Sequence, residues 1–144
     1  MPRCYFLAVS GGSSVDQHSN NVTLFNLVEQ INVPPGAPPP PKGVLPLEIH
    51  AYYHLAPDEV GMPFEVRFVM VASSGLETPS DVFTHKAPSH RYRTRTMGLP
   101  FPPVVGQYEL FVDVKKSGAQ TFRREAINWP VTIVEAERRP RVTH

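Results

Sequence analysis

One stretch decides the fold of this chain: Val44-Leu45-Pro46-Leu47-Glu48-Ile49-His50-Ala51-Tyr52-Tyr53-His54-Leu55. Because successive side chains of a β-strand point to opposite faces, its spacing of apolar residues predicts a strand with one buried and one solvated face. The inward set is Leu45, Leu47, Ile49, Ala51, Tyr53 and Leu55, and the outward set is Pro46, Glu48, His50, Tyr52 and His54.

Two other stretches repeat this alternation. Their inward residues are Phe64, Val66, Phe68 and Met70 in residues 63–72, and Tyr108, Leu110, Val112 and Val114 in residues 107–114. Shorter β-branched or aromatic runs predict further strands. These cover residues 4–10, 22–33 with a bend near 29–30, 81–86, 90–97, and 121–135 with an interruption at 128–130. Breaks or turns are predicted at residues 11–14, 16–21, 73–79 and 115–118.

The absence of a helical pattern sets the fold class. No window shows the 3.6-residue period of an amphipathic helix, and 17 prolines exclude long helices. We therefore predict an all-β fold with less than about 10% helix. It is an antiparallel β-sandwich, immunoglobulin-like or C2-like, of about seven to nine strands. Residues 1–135 are predicted to form a single domain, and residues 136–144 a charged C-terminal tail.

Composition excludes several classes of function. The net charge of +1 gives no general attraction to nucleic acid or to an acidic membrane. Cys4 is the only cysteine, which excludes an internal disulfide and a zinc site built from several cysteines. No apolar run approaches the roughly 18 residues of a membrane-spanning helix, and the N-terminal apolar run is too short for a signal peptide. We expect a soluble, cytoplasmic protein.

The stretch Pro102-Pro103-Val104-Val105-Gly106-Gln107-Tyr108-Glu109-Leu110-Phe111-Val112-Asp113-Val114 resembles a strand of bacterial immunoglobulin-like sandwiches. In them a Gly-x-Tyr strand follows a proline-rich turn, and the tyrosine hydroxyl bonds a neighbouring loop. Residues 4–135 as a whole resemble a family of small uncharacterised bacterial β-sandwich proteins, a domain of unknown function. Its pattern is a Cys-containing first strand, a polar turn, a strand like residues 22–31 and a proline-bearing loop. The resemblance implies a fold and no activity.

The sequence shows no catalytic or metal-binding constellation, so we predict no enzyme, no catalytic residue, no cofactor and no metal site. His50 and His54 share a strand face but lie roughly 13 Å apart, so they are interpreted as surface histidines; His85 and His90 can approach across a loop. The serines of residues 10–14 do not form a Gly-x-Ser-x-Gly elbow. Cys4 is interpreted as a structural core residue.

The most specific polar feature is a row of arginines. Arg91, Arg93 and Arg95 share one strand face at about 6.7 Å spacing, close to the repeat of phosphates along a nucleic-acid strand. Burying three guanidinium groups would cost several kcal/mol each, so the row is predicted to face solvent and Tyr92 to face the core. The row is a candidate contact for an anion or a partner, with Arg123-Arg124 and Lys115-Lys116 adding to it if their strands are neighbours. The alternative is a solubilising edge strand.

The leading hypothesis is a non-enzymatic binding or assembly module that acts through an outer sheet face and its proline-rich loops. Val69, Val71 and Phe111 are apolar on the outward parity, which indicates a covered or interacting face. The proline-rich residues 34–41 are a candidate cover, a linker or a polyproline ligand. The expected partner is a protein or a second copy of the chain, in preference to nucleic acid, and no membrane is expected. The alternatives are an oligonucleotide- or anion-binding module that uses the arginine row, and an enzyme with an unrecognised site.

Overall fold

The computed structural model describes residues 1–136, so the predicted charged tail, residues 136–144, lies outside the described residues apart from Ala136. The described chain is built from strands and one short 3-10 turn, Pro41–Gly43. The strands are β1 (Arg3–Val15), β2 (Val22–Leu27), β3 (Gln30–Val33), β4 (Val44–His54), β5 (Pro63–Ala72), β6 (Glu77–Pro79), β7 (Phe83–Lys86), β8 (Arg91–Pro100), β9 (Gly106–Lys116) and β10 (Arg123–Glu135). The predicted all-β fold is confirmed.

The strands form two sheets. One has four strands in the order β2-β1-β4-β8, and the other has six, with β3-β10-β9-β5-β6 in order and β7 also paired to β5. All pairs are antiparallel except β3 with β10, which run parallel. The sandwich is therefore mostly antiparallel. It has more strands than predicted because residues 22–33 form two strands and the predicted turn at residues 73–79 contains β6.

The inner faces of both sheets share one hydrophobic core. The inward residues predicted for β4, β5 and β9 all belong to this core or pack against it. Tyr53 of β4 meets Phe64 of β5 across the two sheets, with ring centroids 5.6 Å apart in an edge-to-face arrangement. Tyr108 is 5% exposed, and its hydroxyl donates a hydrogen bond to the Val104 carbonyl. The tyrosine anchor inferred from the sequence is confirmed.

Two predictions about the first 33 residues are wrong. Residues 11–14 do not break the chain, since β1 continues through Gly11 and Gly12 and pairs there with β2. Residues 22–33 are not one bent strand, because β2 belongs to the four-stranded sheet and β3 to the six-stranded sheet. The connection is held at both sheets. Val28 N–H donates to the Val9 carbonyl, and Trp129 Nε1 donates to the Val28 carbonyl at 2.7 Å.

Smaller corrections concern the second half of the chain. The predicted turn at residues 73–79 contains β6, which pairs with β5. The interruption predicted at residues 128–130 is wrong, because these residues pair in register with β9; the register shift of β10 lies before them, between Arg124 and Asn128. Strand β8 continues beyond its predicted end at residue 97 as far as Pro100, and β9 begins at Gly106, one residue before its predicted start.

The outer face of the six-stranded sheet is covered by its own charged side chains. Asp113 is 2% exposed and accepts hydrogen bonds from Arg67 Nε at 3.0 Å and from Arg124 Nε at 2.9 Å. The Arg124 guanidinium lies 5.2 Å from the centre of the Phe111 ring. Phe111 is therefore packed against the Arg124 guanidinium. The proline-rich residues 34–39 are exposed to solvent.

Within the described residues, no helix is long and apolar enough to cross a membrane.

Replacement of Tyr108 measures the value of the core anchor. We expect Tyr108→Ala to lower the free energy of unfolding by about 3–5 kcal/mol, as for other buried aromatic side chains. Tyr108→Phe keeps the ring and loses only the hydrogen bond to Val104, so we expect a cost of about 1 kcal/mol. Urea denaturation of both variants checks the ranking. An Ala variant within about 1 kcal/mol of wild type would contradict it.

Candidate functional site

The outer face of the four-stranded sheet carries an ordered set of polar and aromatic residues. Residues that pair directly across antiparallel strands lie on the same face. The outward rows, read from β1 through β4 to β8, are Arg3-His54-Arg91, Phe6-Tyr52-Arg93, Ala8-His50-Arg95 and Ser10-Glu48-Met97. These rows bring four arginines and one glutamate onto a single face.

The arginine row has the predicted orientation. Arg91, Arg93 and Arg95 are exposed on β8, an edge strand, whereas Tyr92 packs against the core. The three arginines differ in their partners: Arg95 Nη1 lies 3.2 Å from Glu48 Oε1, and the Arg93 guanidinium lies 5.9 Å from the centre of the Tyr52 ring. Only part of the row is therefore committed to internal ion pairing.

The other basic pairs do not extend this surface. Lys115-Lys116 and Arg123-Arg124 belong to β9 and β10 of the six-stranded sheet. Arg124 is bonded to Asp113, and Lys115 lies 3.2 Å from Glu65. These pairs were expected to add to the arginine row only if their strands were neighbours of β8, and this condition is not met because β9 and β10 belong to the other sheet.

A β-bulge gathers aromatic rings beside the arginines. The pairing of β1 with β4 shifts between Cys4 and Phe6, so that Tyr5 is an extra residue without a partner of its own in the ladder. As a result the rings of Tyr5 and Phe6 both lie next to Tyr52, at centroid distances of 6.1 and 4.8 Å. Tyr5 is 50% exposed, so its ring is available to a ligand.

The hairpin formed by the end of β1 and the start of β2 bounds a groove over this face. Two adjoining clefts, of about 370 and 650 Å³, have Asn20, Tyr52 and Arg93 in common. Arg95 and Ser13 line the first, and Arg91 and Tyr5 line the second. We call the combined space the arginine groove and define it by Tyr5, Asn20, Tyr52, Arg91, Arg93 and Arg95. Among the described residues, no Asp or Glu lines either cleft.

A buried polar cluster lies at the Arg95 end of the groove. Glu48 and His50 are 3% and 2% exposed, so the interpretation of His50 as a surface histidine is wrong. Ser13 Oγ donates to Glu48 at 3.0 Å, and Ser10 Oγ lies 2.8 Å from His50 Nε2. Ser10 ends the predicted first strand, whereas Ser13 comes from the stretch predicted to be a break. Because β1 continues as a strand beyond Ser10, it brings Ser13 to the Glu48 carboxylate.

This cluster differs from a catalytic triad. The Ser10 hydroxyl lies within hydrogen-bond distance of two groups, the Gly12 carbonyl at 3.0 Å and His50 Nε2 at 2.8 Å. Glu48 lies 3.9 Å from that same nitrogen, whereas a triad places the serine and the acid on opposite nitrogens of the ring. The cluster thus holds Glu48, and Glu48 in turn holds Arg95 at the groove.

Burial makes His50 less basic than a histidine in solvent. Desolvation lowers the pKa of His50; the nearby Glu48 carboxylate raises this pKa, and the Arg95 guanidinium lowers it further. Burial also lowers the pKa of His85, which lies in the core region with its Nδ1 3.3 Å from the Tyr92 hydroxyl. Both histidines are therefore held in the neutral form more strongly than a solvated histidine.

The remaining sequence candidates do not converge on a site. The His90 ring is 6.1 Å from that of His54, and His85 contacts Tyr92 instead of His90. Within the described residues, no group of three His, Cys, Asp or Glu side chains is placed to hold a metal ion. Cys4 packs against the core, and burial raises the pKa of its thiol to about 11, so it is a poor nucleophile at neutral pH.

No protein-family model matches the chain, and no curated protein matches it in sequence.

The buried histidines predict a stability that falls in acid. The unfolded chain takes up protons near the usual histidine pKa of about 6.5, while folded His50 takes them up only at lower pH. Proton uptake by the unfolded chain therefore does not affect the free energy of unfolding above that pH, and it lowers this free energy as the pH falls below it. We expect His50→Gln, which keeps an amide donor near Ser10, to reduce the loss measured by urea denaturation between about pH 7.5 and 5.5.

The matched control is His85→Gln, since His85 has the same direction of shift but lies outside the groove. Each single variant should retain the acid-induced loss of stability caused by the other histidine. The double variant should show the smallest change in the free energy of unfolding with pH. A His50→Gln profile as steep as that of the wild type would contradict the assignment.

The three arginines should differ in their effect on stability. Arg91→Ser and Arg93→Ser remove exposed side chains, and we expect each to change the free energy of unfolding by no more than about 0.5 kcal/mol. Arg95→Ser removes the cation beside a buried carboxylate, so we expect a larger loss, about 1 kcal/mol after allowance for its solvent exposure. Chemical denaturation checks this order. Equal losses from all three variants would show that the pair with Glu48 contributes nothing.

Proposed function

We propose that this chain is a non-enzymatic binding module that takes an extended anionic ligand into the arginine groove. One observation carries the proposal: an open groove lined by Arg91, Arg93 and Arg95, without a carboxylate along its lining in the described residues. Guanidinium groups are suited to this task, because each presents several N–H donors in a fork that matches phosphate and carboxylate oxygens.

Local charge supports an anion over a neutral or cationic ligand. The chain has a net charge of only +1, yet the outward rows of the four-stranded sheet contain four arginines and one buried glutamate. Glu48 is already paired with Arg95 and bonded by Ser13. Arg3, Arg91 and Arg93 thus keep a positive field over the groove, and such a field concentrates anions and speeds their association.

The buried cluster supports binding over catalysis. Ser10 is fully buried, so its hydroxyl is not accessible as a nucleophile to a ligand in the groove. The contribution of this cluster is to position Arg95. Preorganised side chains lower the entropy lost when a ligand binds.

The finer fold class is also a proposal: an immunoglobulin-like or C2-like sandwich of the kind found in small bacterial proteins. The hydrogen bond from the Tyr108 hydroxyl back to the Val104 carbonyl supports the immunoglobulin-like form, in which a corner tyrosine bonds the backbone a few residues upstream. A cytoplasmic location and a role for the proline-rich residues 34–41 remain predictions.

Binding of inorganic polyphosphate tests the proposed function. We expect salt-dependent binding in fluorescence competition or calorimetry, because bound cations of the polyanion are released when arginines replace them. The variant Arg91→Ser/Arg93→Ser should lose about tenfold in affinity, since two charge-assisted contacts are removed.

A variant with the same loss of charge elsewhere is the control. Lys86→Ser/Lys116→Ser removes two exposed lysines from β7 and β9 of the six-stranded sheet, and it should bind polyphosphate almost as well as wild type. Equal weakening by the two double variants would mean that net charge alone, and no groove, governs binding.

A further inference from the structure

We infer that the ligand of the arginine groove is a single-stranded nucleic acid, held by its phosphates along the β8 arginines and by stacking of its bases on Tyr5 and Tyr52. The inference rests on the proposed function and names the class of ligand for the same groove.

The spacing of the arginines fits a phosphate chain. Alternate residues of a strand lie about 6.7 Å apart, so Arg91, Arg93 and Arg95 form a straight row that can meet successive phosphates of an extended strand. Because β8 is an edge strand, no further strand pairs with it on the side away from β4, and the Arg91 end of the row is open. The row therefore suits a polymer better than a single small anion.

The aromatic residues separate a nucleic acid from other polyanions. Tyr52 pairs directly with Arg93 across β4 and β8, and the bulge in β1 places the half-exposed Tyr5 6.1 Å from Tyr52. Aromatic rings beside a track of positive charge are the arrangement by which proteins bind single strands without sequence preference. Polyphosphate or a polyglutamate peptide would contact the arginines and would not stack on these rings.

The groove also favours single strands over a duplex. In a duplex the faces of the bases are stacked on each other, so they are not available to Tyr5 or Tyr52. A duplex can therefore use only the phosphate contacts.

Oligonucleotides with and without bases test the inference. The probes are fluorescein-labelled thymidine and abasic oligomers of about ten nucleotides, within the length that one small domain covers. We expect fluorescence anisotropy to show about hundredfold tighter binding of the thymidine oligomer, because the abasic strand keeps its phosphates and loses stacking on both Tyr5 and Tyr52. If Arg91, Arg93 and Arg95 each contact one phosphate, log K should fall against log salt with a slope of about −2.

Tyr5 variants connect the effect to the groove. Tyr5→Ala should weaken the thymidine oligomer about tenfold and leave the abasic oligomer unchanged, whereas Tyr5→Phe should retain wild-type binding because it keeps the ring. Circular dichroism and urea denaturation establish that each variant is folded. Loss of binding to both oligomers in a folded Tyr5→Ala variant would overturn the stacking role.

The outcomes separate this inference from the proposed function. Equal affinity for thymidine and abasic oligomers, or tighter binding of a fluorescein-labelled polyglutamate peptide, overturns the nucleic-acid inference; if Arg91→Ser/Arg93→Ser still weakens that binding, the anionic groove stands. If the protein binds none of the oligomers, the peptide or polyphosphate, both the nucleic-acid inference and the proposed function are overturned. Tighter binding of the thymidine oligomer that is lost in Tyr5→Ala and in Arg91→Ser/Arg93→Ser supports both.

Discussion

The contact between Tyr53 and Phe64 is the constraint on which the rest of the structure depends. Both side chains are fully buried, at 0% and 1% exposure, and they join β4 of one sheet to β5 of the other. Because side chains alternate along a strand, placing Tyr53 in the core puts its neighbours Tyr52 and His54 on the outer face. Pairing then extends the same parity from β4 to β1 and β8.

The candidate site is the outer counterpart of that core. Tyr92 pairs with Tyr53 and packs inward, so Arg91 and Arg93 face outward on either side of it. The outer face is nevertheless divided into two environments: the Arg91 end is open, whereas the β1–β2 hairpin covers Glu48 and His50 at the other end. A buried carboxylate requires hydrogen bonds and a cation, and Ser13 and Arg95 supply them. The same hairpin thus bounds the groove and positions one of its arginines.

Strands in which apolar and polar residues alternate regularly could be predicted from the sequence. Strands whose length or sheet depends on a partner strand could not. β4, β5 and β9 each carry four or more inward apolar residues, and their parity is confirmed. Glycines usually weaken a strand, so the sequence around Gly11 and Gly12 indicates a break; a partner strand, β2, makes up for that weakness by pairing along residues 10–15 of β1. The separation of β2 from β3 carries no local signal, because each half reads as a strand whichever sheet it joins.

The sequence by itself determined the fold class, the inward residues of the main strands and the exposure of Arg91, Arg93 and Arg95. These follow from a two-residue period and from the cost of burying charge, both of which act locally along one strand. Only the tertiary structure decided that Ser10, Ser13, Glu48, His50 and Arg95 meet, and that the bulge at Tyr5 brings a third ring to Phe6 and Tyr52. Glu48 and His50 have the outward parity of solvated residues, and their burial depends on where β1 runs beyond Ser10. That course is set by pairing between residues distant in the chain, which the pattern of a single strand does not encode.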